Sequence, residues 1–102
     1  MSKVNLTVRP FRMGTEKEAA LKPLEEASEV RAAWQEVDGC GSPEQCSERC
    51  EVLNVCDARV EFADEIADCI QACCNLADRY GIDLTAAMGR CEERNRKRGR
   101  YQ

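Results

Sequence analysis

Apolar residues recur at steps of three and four positions along three stretches of the chain. The stretches run over residues 16–39, over 58–80, and from residue 83 or 85 to about residue 98. This period places apolar side chains on one face of an α-helix, and the two-residue alternation typical of strands is absent. The pattern therefore predicts an all-α fold. The residues expected to face inward are Leu24, Ala27, Val30, Ala33, Trp34 and Val37 on the first helix, and Val60, Phe62, Ile66, Cys69, Ile70, Cys73 and Leu76 on the second.

The first long helix carries recognisable start and stop signals. Thr15 and Glu18 form a capping-box pattern, which predicts that the helix begins at Glu16. Pro23 lies inside this helix, and we expect a kink or a short break there, because an interior proline costs about 3 kcal/mol. Gly39 is expected to end the helix.

The length of 102 residues fits a single domain, with two segments outside the long helices. Residues 1–14 are expected to form an extended arm, and residues 39–57 a loop or insertion in which 44–55 could be a short helix. Half of the eight cysteines lie in this insertion, where a zinc site and a disulfide both remain open because no Cys-x-x-Cys pair is present. The insertion cysteines are Cys40, Cys46, Cys50 and Cys56. Three further cysteines, Cys69, Cys73 and Cys74, are expected to act as small core hydrophobes.

Composition and charge exclude several classes of protein. No apolar run approaches the ~18 residues of a membrane span, and residues 1–14 contain no apolar stretch that could serve as a signal peptide. We therefore expect a cytoplasmic protein with no membrane partner. The net charge is −4, which argues against a nucleic-acid binder. Six basic residues nevertheless lie between Arg90 and Arg100, where a local anion site remains open.

Carboxylates border the apolar faces of both long helices. Glu26 and Glu29 lie at that border on the first helix, and Glu65 and Asp68 lie beside it on the second. Packing these faces together would bury several negative charges, which is costly unless they are protonated, paired or bound to a metal. Mg²⁺ prefers oxygen ligands, and the absence of histidine disfavours a mixed zinc or di-iron site. We therefore predict a magnesium site; solvated helix faces are the alternative.

Four segments resemble, in the same order, the MazG-like nucleotide pyrophosphohydrolases. Residues 21–30 resemble the Lys-x-x-Glu-Glu-x-x-Glu stretch of that family, and 64–70 resemble its Glu-x-x-Asp helix. Residues 76–84 look like the connection that follows, and 94–98 like the basic end of the last helix. The segment between Glu29 and Glu65 is longer than in the family, and Cys91 stands where a lysine is expected.

The resemblance implies a helical bundle that uses Mg²⁺, with Mn²⁺ as the alternative ion. It implies hydrolysis of a nucleoside triphosphate or related nucleotide between its α- and β-phosphates, giving the monophosphate and pyrophosphate. Two long helices and a shorter one cannot cover both faces of the acidic pair, so we expect a homodimer or homotetramer. The implied metal ligands are Glu26, Glu29, Glu65 and Asp68; the implied phosphate contacts are Lys22, Asn95 and Arg98; and Glu25 or Glu29 is the implied base.

Two other functions stay open. One is a helical interaction protein that keeps the fold, lacks catalysis and binds its partner through the cysteine-rich insertion. The other is a zinc-dependent binding module. Trp34 is expected in the core or at a dimer interface, and nothing in the spacing of residues identifies the base or sugar of a nucleotide substrate.

Overall fold

The computed structural model describes residues 3–39 and 57–102. These residues form α1 (Glu16–Gly39), α2 (Asp57–Arg79) and α3 (Leu84–Lys97), and none of them forms a strand. The predicted all-α fold is thus confirmed. The predictions made for the cysteine-rich segment 40–56 lie outside the described residues. Within the described residues, no helix combines the length and the apolarity that a bilayer crossing requires.

The first helix begins at its capping box and continues through its proline. The backbone N–H of Glu18 donates to Thr15 Oγ1 at 3.1 Å, and the Thr15 hydroxyl donates to Glu18 Oε1 at 3.2 Å. Helix α1 is uninterrupted at Pro23, so the predicted break does not occur. Buried Ala19 and Ala33 lie on either side of Pro23, so packing against α2 spans the proline and offsets its cost of about 3 kcal/mol.

The core is the contact between α1 and α2, which accounts for nearly all packing between the described helices. The buried apolar residues in the described part of the chain are all alanines. Such small side chains allow the two helix axes to approach closely. Larger apolar residues beside them are half-buried: Val30, Val37, Phe62, Ile70 and Leu76.

Several residues that the pattern placed in the core are exposed. On α1, Leu24 is 70% and Trp34 is 48% exposed, and Ala27 is also exposed. On α2, the exposed residues are Val60, Ile66 and Cys73. The apolar arc of each helix is wider than the strip that one partner helix covers, so this part of the prediction is wrong for the single chain.

The arm, residues 3–14, lies along α2 rather than hanging free. Three polar side chains at successive turns of α2 bond to alternate residues of the arm. Four helical residues advance about 6 Å and two extended residues about 6.6 Å, so the two spacings match. The bonds join Gln71 Nε2 to Arg9 O (3.0 Å), Phe11 N to Asn75 Oδ1 (2.9 Å), and Arg79 Nη1 to Met13 O (2.7 Å) and Gly14 O (2.9 Å).

The third helix is well capped but weakly packed. Gly81, at φ 64°, allows the chain to turn after α2, and Asp83 Oδ1 then accepts a hydrogen bond from Ala86 N at 3.0 Å. No residue of α3 is buried. This helix therefore presents its basic last turn to solvent, and it adds little to the core of the single chain.

We expect Arg79→Met to lower the free energy of unfolding by about 1–3 kcal/mol, because two carbonyls of the arm lose their charged donor. Urea unfolding followed by circular dichroism measures this change. Arg96→Met is the matched control. Its guanidinium contacts only the half-buried Glu92 and the exposed Glu93 in surface ion pairs, so its loss should cost no more than about 0.5 kcal/mol. Equal losses in the two variants would show that the bonds to the arm contribute nothing.

Candidate metal centre

Three carboxylates converge where α1 faces α2. Glu26 and Glu29 come from adjacent turns of α1, and Glu65 comes from α2. One oxygen from each side chain lies within 4.8 Å of the others. This spacing fits three oxygen ligands around a single divalent ion. The structure thus brings together three of the four predicted metal ligands.

Two oxygens in this cluster are buried without a hydrogen-bond partner. They are Oε2 of Glu26 and Oε2 of Glu65, and Glu26 as a residue is only 7% exposed. A buried carboxylate oxygen that lacks a partner costs free energy that an exposed one does not. A bound cation would satisfy both oxygens at once, so the donor set fits the ion that the sequence predicts.

Lys22 supplies part of the compensating positive charge. Its Nζ lies 3.2 Å from Glu26 Oε1 and 3.6 Å from Glu25 Oε2. The hydrogen bond and the charge of Glu26 together raise the pKa of Lys22, so this ammonium stays protonated. Only the first of the two Glu26 oxygens is paired in this way, which leaves Oε2 free to face the cluster.

Glu29 is the member whose ionisation the cluster opposes. Its carboxyl group lies within hydrogen-bonding reach of Glu26, and this contact is the main reason that its pKa is raised. The charge of Glu26 and the contact with Glu65 raise the pKa further. Glu29 therefore holds a proton more readily than an isolated glutamate does, which is typical of a carboxylate that shares a small space with others.

Asp68, the fourth predicted ligand, is exposed and lies outside the three-carboxylate cluster. It instead lines a neighbouring cavity of about 110 Å³, together with Lys22 and Glu26. Phe11 and Asn75 line the same cavity. The cavity therefore joins the acidic cluster to the arm.

The remaining predicted site residues lie apart from the cluster. Glu25 is exposed and paired with Lys22. Asn95 donates to Cys91 Sγ at 3.6 Å, and the backbone N–H of Arg98 closes α3 on Arg94 O. Neither Asn95 nor Arg98 lines the cavity beside the carboxylates. The predicted phosphate contacts on α3 are thus not assembled within one copy of the chain.

Cysteine side chains flank the cluster on α2. Cys69 is half-buried, and its Sγ donates to the Pro23 carbonyl at 4.0 Å. Burial raises the pKa of the Cys69 thiol, and contact with Cys73 and the charge of Glu26 add to the effect. Cys74 is half-buried as well. The prediction of small core hydrophobes thus describes Cys69 and Cys74 in part, whereas Cys73 is exposed.

The polar stripe of Gln71, Asn75 and Arg79 on α2 was not predicted from the sequence. Its signal is visible in retrospect, because these residues follow each other at four-residue steps on a helix whose neighbouring positions are apolar. Asn75, at 4% exposure, is the more buried of the two buried polar residues in the described part of the chain.

Comparison of the chain with protein-family models, with curated proteins and with solved structures finds no match. The function therefore has to be argued from the site itself.

We expect Glu29→Gln to raise the melting temperature of the metal-free protein at neutral pH, because it removes one of three mutually repelling charges. A carboxyl group whose pKa is raised on folding stabilises the fold at low pH, and this stability is lost as the pH rises through the raised value. The advantage of the variant should therefore shrink as the pH is lowered below the ordinary glutamate range. Thermal melts in EDTA across weakly acidic to neutral pH measure it.

Glu36→Gln is the matched control, because Glu36 is an exposed acid of α1 outside the cluster. It loses the same formal charge without relieving the cluster. If both variants shift the melting temperature equally at every pH, the three carboxylates do not repel one another as described.

Proposed function

We propose that this protein is a Mg²⁺-dependent nucleotide pyrophosphohydrolase of the MazG-like kind. It cleaves a nucleoside triphosphate, or a related nucleotide, between the α- and β-phosphates. The observation that carries the proposal is the cluster of Glu26, Glu29 and Glu65 with its two buried, unpartnered oxygens. A helix pair that served only as a scaffold would gain nothing from this repulsion.

The reaction is a hydrolysis that needs no further co-reactant. A water oxygen attacks the α-phosphorus, the bond from this phosphorus to the bridging oxygen breaks, and pyrophosphate leaves. Mg²⁺ would supply neutralisation of the phosphate oxygens and a polarised water. Glu26, Glu29 and Glu65 would hold the ion, and Asp68 at the edge of the adjoining cavity would complete its surroundings through water.

Glu29 is the better candidate for accepting the proton of the attacking water. It is the exposed member of the cluster, so an attacking water beside the ion could reach it. Glu25 is the alternative, but its Oε2 lies 3.6 Å from the Lys22 ammonium, which competes for that carboxylate.

Positive charge for the phosphates comes from Lys22 and, in our proposal, from a second copy of the chain. Lys22 lines the cavity beside Glu26. Asn95 and Arg98 lie on α3, which barely packs against α1 or α2 of its own chain. A homodimer or homotetramer in which α3 reaches the acidic cluster of a neighbouring copy would bring these groups to the pyrophosphate.

The exposed apolar face of α1 supports such an assembly. Ala20, Leu24, Ala27 and Trp34 project within an arc of about 80° that points away from the Glu26 side of the helix. Leu24 and Trp34 are 70% and 48% exposed. Because the single chain buries only alanines among its described apolar residues, a second copy on this face would supply the missing core.

We expect the wild-type protein to have at least twice the mass of the single chain, and Leu24→Gln combined with Trp34→Gln to weaken the association. Light scattering coupled to gel filtration measures the mass over a dilution series. Tyr101→Gln, which also removes an exposed large side chain but lies outside α1, is the control. A wild-type protein that is monomeric at all concentrations would contradict the proposed assembly.

We expect a panel of nucleotides incubated with Mg²⁺ to yield monophosphate and pyrophosphate. Glu65→Gln should reduce turnover at least 100-fold, as loss of one charged ligand weakens both metal binding and activity. Product analysis by ion-exchange chromatography, together with Mg²⁺ titration of each variant, measures both effects. Glu61→Gln, which changes an exposed acid one turn earlier on α2, is the matched control.

The alternatives give different results in the same experiment. An interaction protein without catalysis would show neither turnover nor a rise in melting temperature with Mg²⁺. A zinc-dependent module would purify with stoichiometric zinc. Turnover that is unaffected by EDTA or by Glu65→Gln would refute the proposed metal centre even if the protein hydrolyses nucleotides.

A further inference from the structure

Cys69 and Cys73 carry free thiols one turn apart on α2. Side chains four residues apart on a helix are neighbours, with Cβ atoms about 5–6 Å apart. The two thiols lie within hydrogen-bonding reach of each other. Cys69 is half-buried, with its Sγ 4.0 Å from the Pro23 carbonyl oxygen of α1, whereas Cys73 is exposed. The pair is therefore bounded by α1 at the Cys69 end and open to solvent at the Cys73 end.

The exposure of Cys73 follows from the geometry of α2. Glu65, Cys69 and Cys73 succeed one another at four-residue steps, and each step turns about 40° around the helix axis. This line consequently leaves the contact with α1, passing from the carboxylate cluster at Glu65 to solvent at Cys73. Packing accounts for a half-buried cysteine as a small apolar side chain. It does not account for an exposed thiol directly beside it.

A disulfide between Cys69 and Cys73 does not fit a regular helix. It requires Cβ atoms about 3.5–4.5 Å apart, which is closer than helical residues four positions apart are held. A single atom bonded to both sulfurs bridges the longer gap, because two bonds of about 2.3 Å span up to about 4.6 Å between the sulfurs. The helix therefore favours a bridged pair of thiols over an oxidised pair.

The ligand set selects the kind of atom that can form the bridge. Thiolates are soft ligands and favour soft, thiophilic centres. A structural zinc ion takes four protein ligands, and among residues 3–39 and 57–102 no acid or further thiol completes a group of three with this pair. Two sulfur ligands are enough for trivalent arsenic, which binds paired thiols much more firmly than single ones.

We propose that Cys69 and Cys73 form a binding site for a trivalent arsenical, separate from the carboxylate site for Mg²⁺. The arsenic atom forms one bond to each Sγ. Each thiol gives up its proton, and the two protons leave with the oxygen of the arsenical as water. Neither arsenic nor sulfur changes its oxidation state, so no oxidant or reductant is needed. Neither the site nor its test depends on the function proposed above.

The test is protection of the two thiols by phenylarsine oxide. The reagent is titrated to saturation, and adducts at single thiols are removed with excess mercaptoethanol before gel filtration. The protein is alkylated with iodoacetamide, freed of arsenic with dimercaptopropanol and digested with trypsin. Cleavage after Arg59 and Arg79 gives a peptide that contains the three cysteines of α2 and none of the insertion cysteines.

We expect phenylarsine oxide to slow the alkylation of Cys69 and Cys73 roughly tenfold or more, because a sulfur bonded to arsenic is no longer a free nucleophile. Alkylation of Cys74 should be unchanged. Mass spectrometry of the peptide measures all three cysteines in one sample. An absence of protection at Cys69 and Cys73 would show that they form no such site.

Cys69→Ser is the decisive variant, because it removes one sulfur of the pair and leaves Cys73 in place. Alkylation of Cys73 should then proceed at the same rate with and without the arsenical. Cys73→Ser tests the pair from the other side, with Cys69 as the thiol that loses its protection. Cys74→Ser is the matched control. It removes a thiol that lies about 100° around the helix from Cys73, and it should leave the protection intact.

Two further results would overturn the inference. Protection of Cys73 that survives Cys69→Ser, or that disappears in Cys74→Ser, would assign the arsenical to a different pair of thiols. Glu65→Gln should retain the protection, because the carboxylates are not ligands of this site. Failure of the proposed hydrolysis leaves these measurements unaffected, since they contain neither nucleotide nor Mg²⁺.

Discussion

The repulsion among Glu26, Glu29 and Glu65 is the constraint on which the rest of the structure depends. The contact between α1 and α2 is the main tertiary contact of the described chain, and these acids lie within it. Two features offset the repulsion: the ammonium of Lys22 pairs with one Glu26 oxygen, and Glu29, whose pKa is raised, holds a proton more readily. Neither of them satisfies the two orphaned oxygens. Because the core of the described chain buries only small apolar side chains, the two orphaned oxygens lower the stability of the fold appreciably. The arrangement therefore points to a bound cation.

Helix α2 meets two different demands. The face toward α1 contributes Glu65 to the cluster, and another face holds the arm through Gln71, Asn75 and Arg79. The arm has no regular secondary structure of its own, so its backbone groups must find partners elsewhere. Side chains at four-residue spacing on α2 supply these partners to residues at two-residue spacing in the arm. This match holds the arm beside the small cavity that adjoins Glu26.

Local signals in the sequence predict the helices well, and long-range features poorly. The capping box at Thr15 and the start of α3 after Asp83 depend on a few neighbouring residues, and both agree with the structure. The convergence of Glu26, Glu29 and Glu65 also followed from i, i+3 spacing and the pairing of two apolar faces. The exposure of Leu24 and Trp34 could not be predicted from that pattern, because burial depends on how much of a helix its partner covers. The short break considered at Pro23 does not occur either, since packing on both sides of the proline is not visible in local propensity.

Stability and function are coupled at the three carboxylates. A cation that binds only the folded chain stabilises it by an amount that grows with the logarithm of ion concentration. The free energy lost to repulsion in the metal-free state is thus recovered when the ion binds, and a second copy on the exposed face of α1 would add apolar burial that the single chain lacks. Replacing one of the acids by an amide would relieve the repulsion and remove a ligand in the same step. Stability without the ion and activity with it are therefore opposed at Glu26, Glu29 and Glu65, and this opposition distinguishes a functional site from a merely acidic helix face.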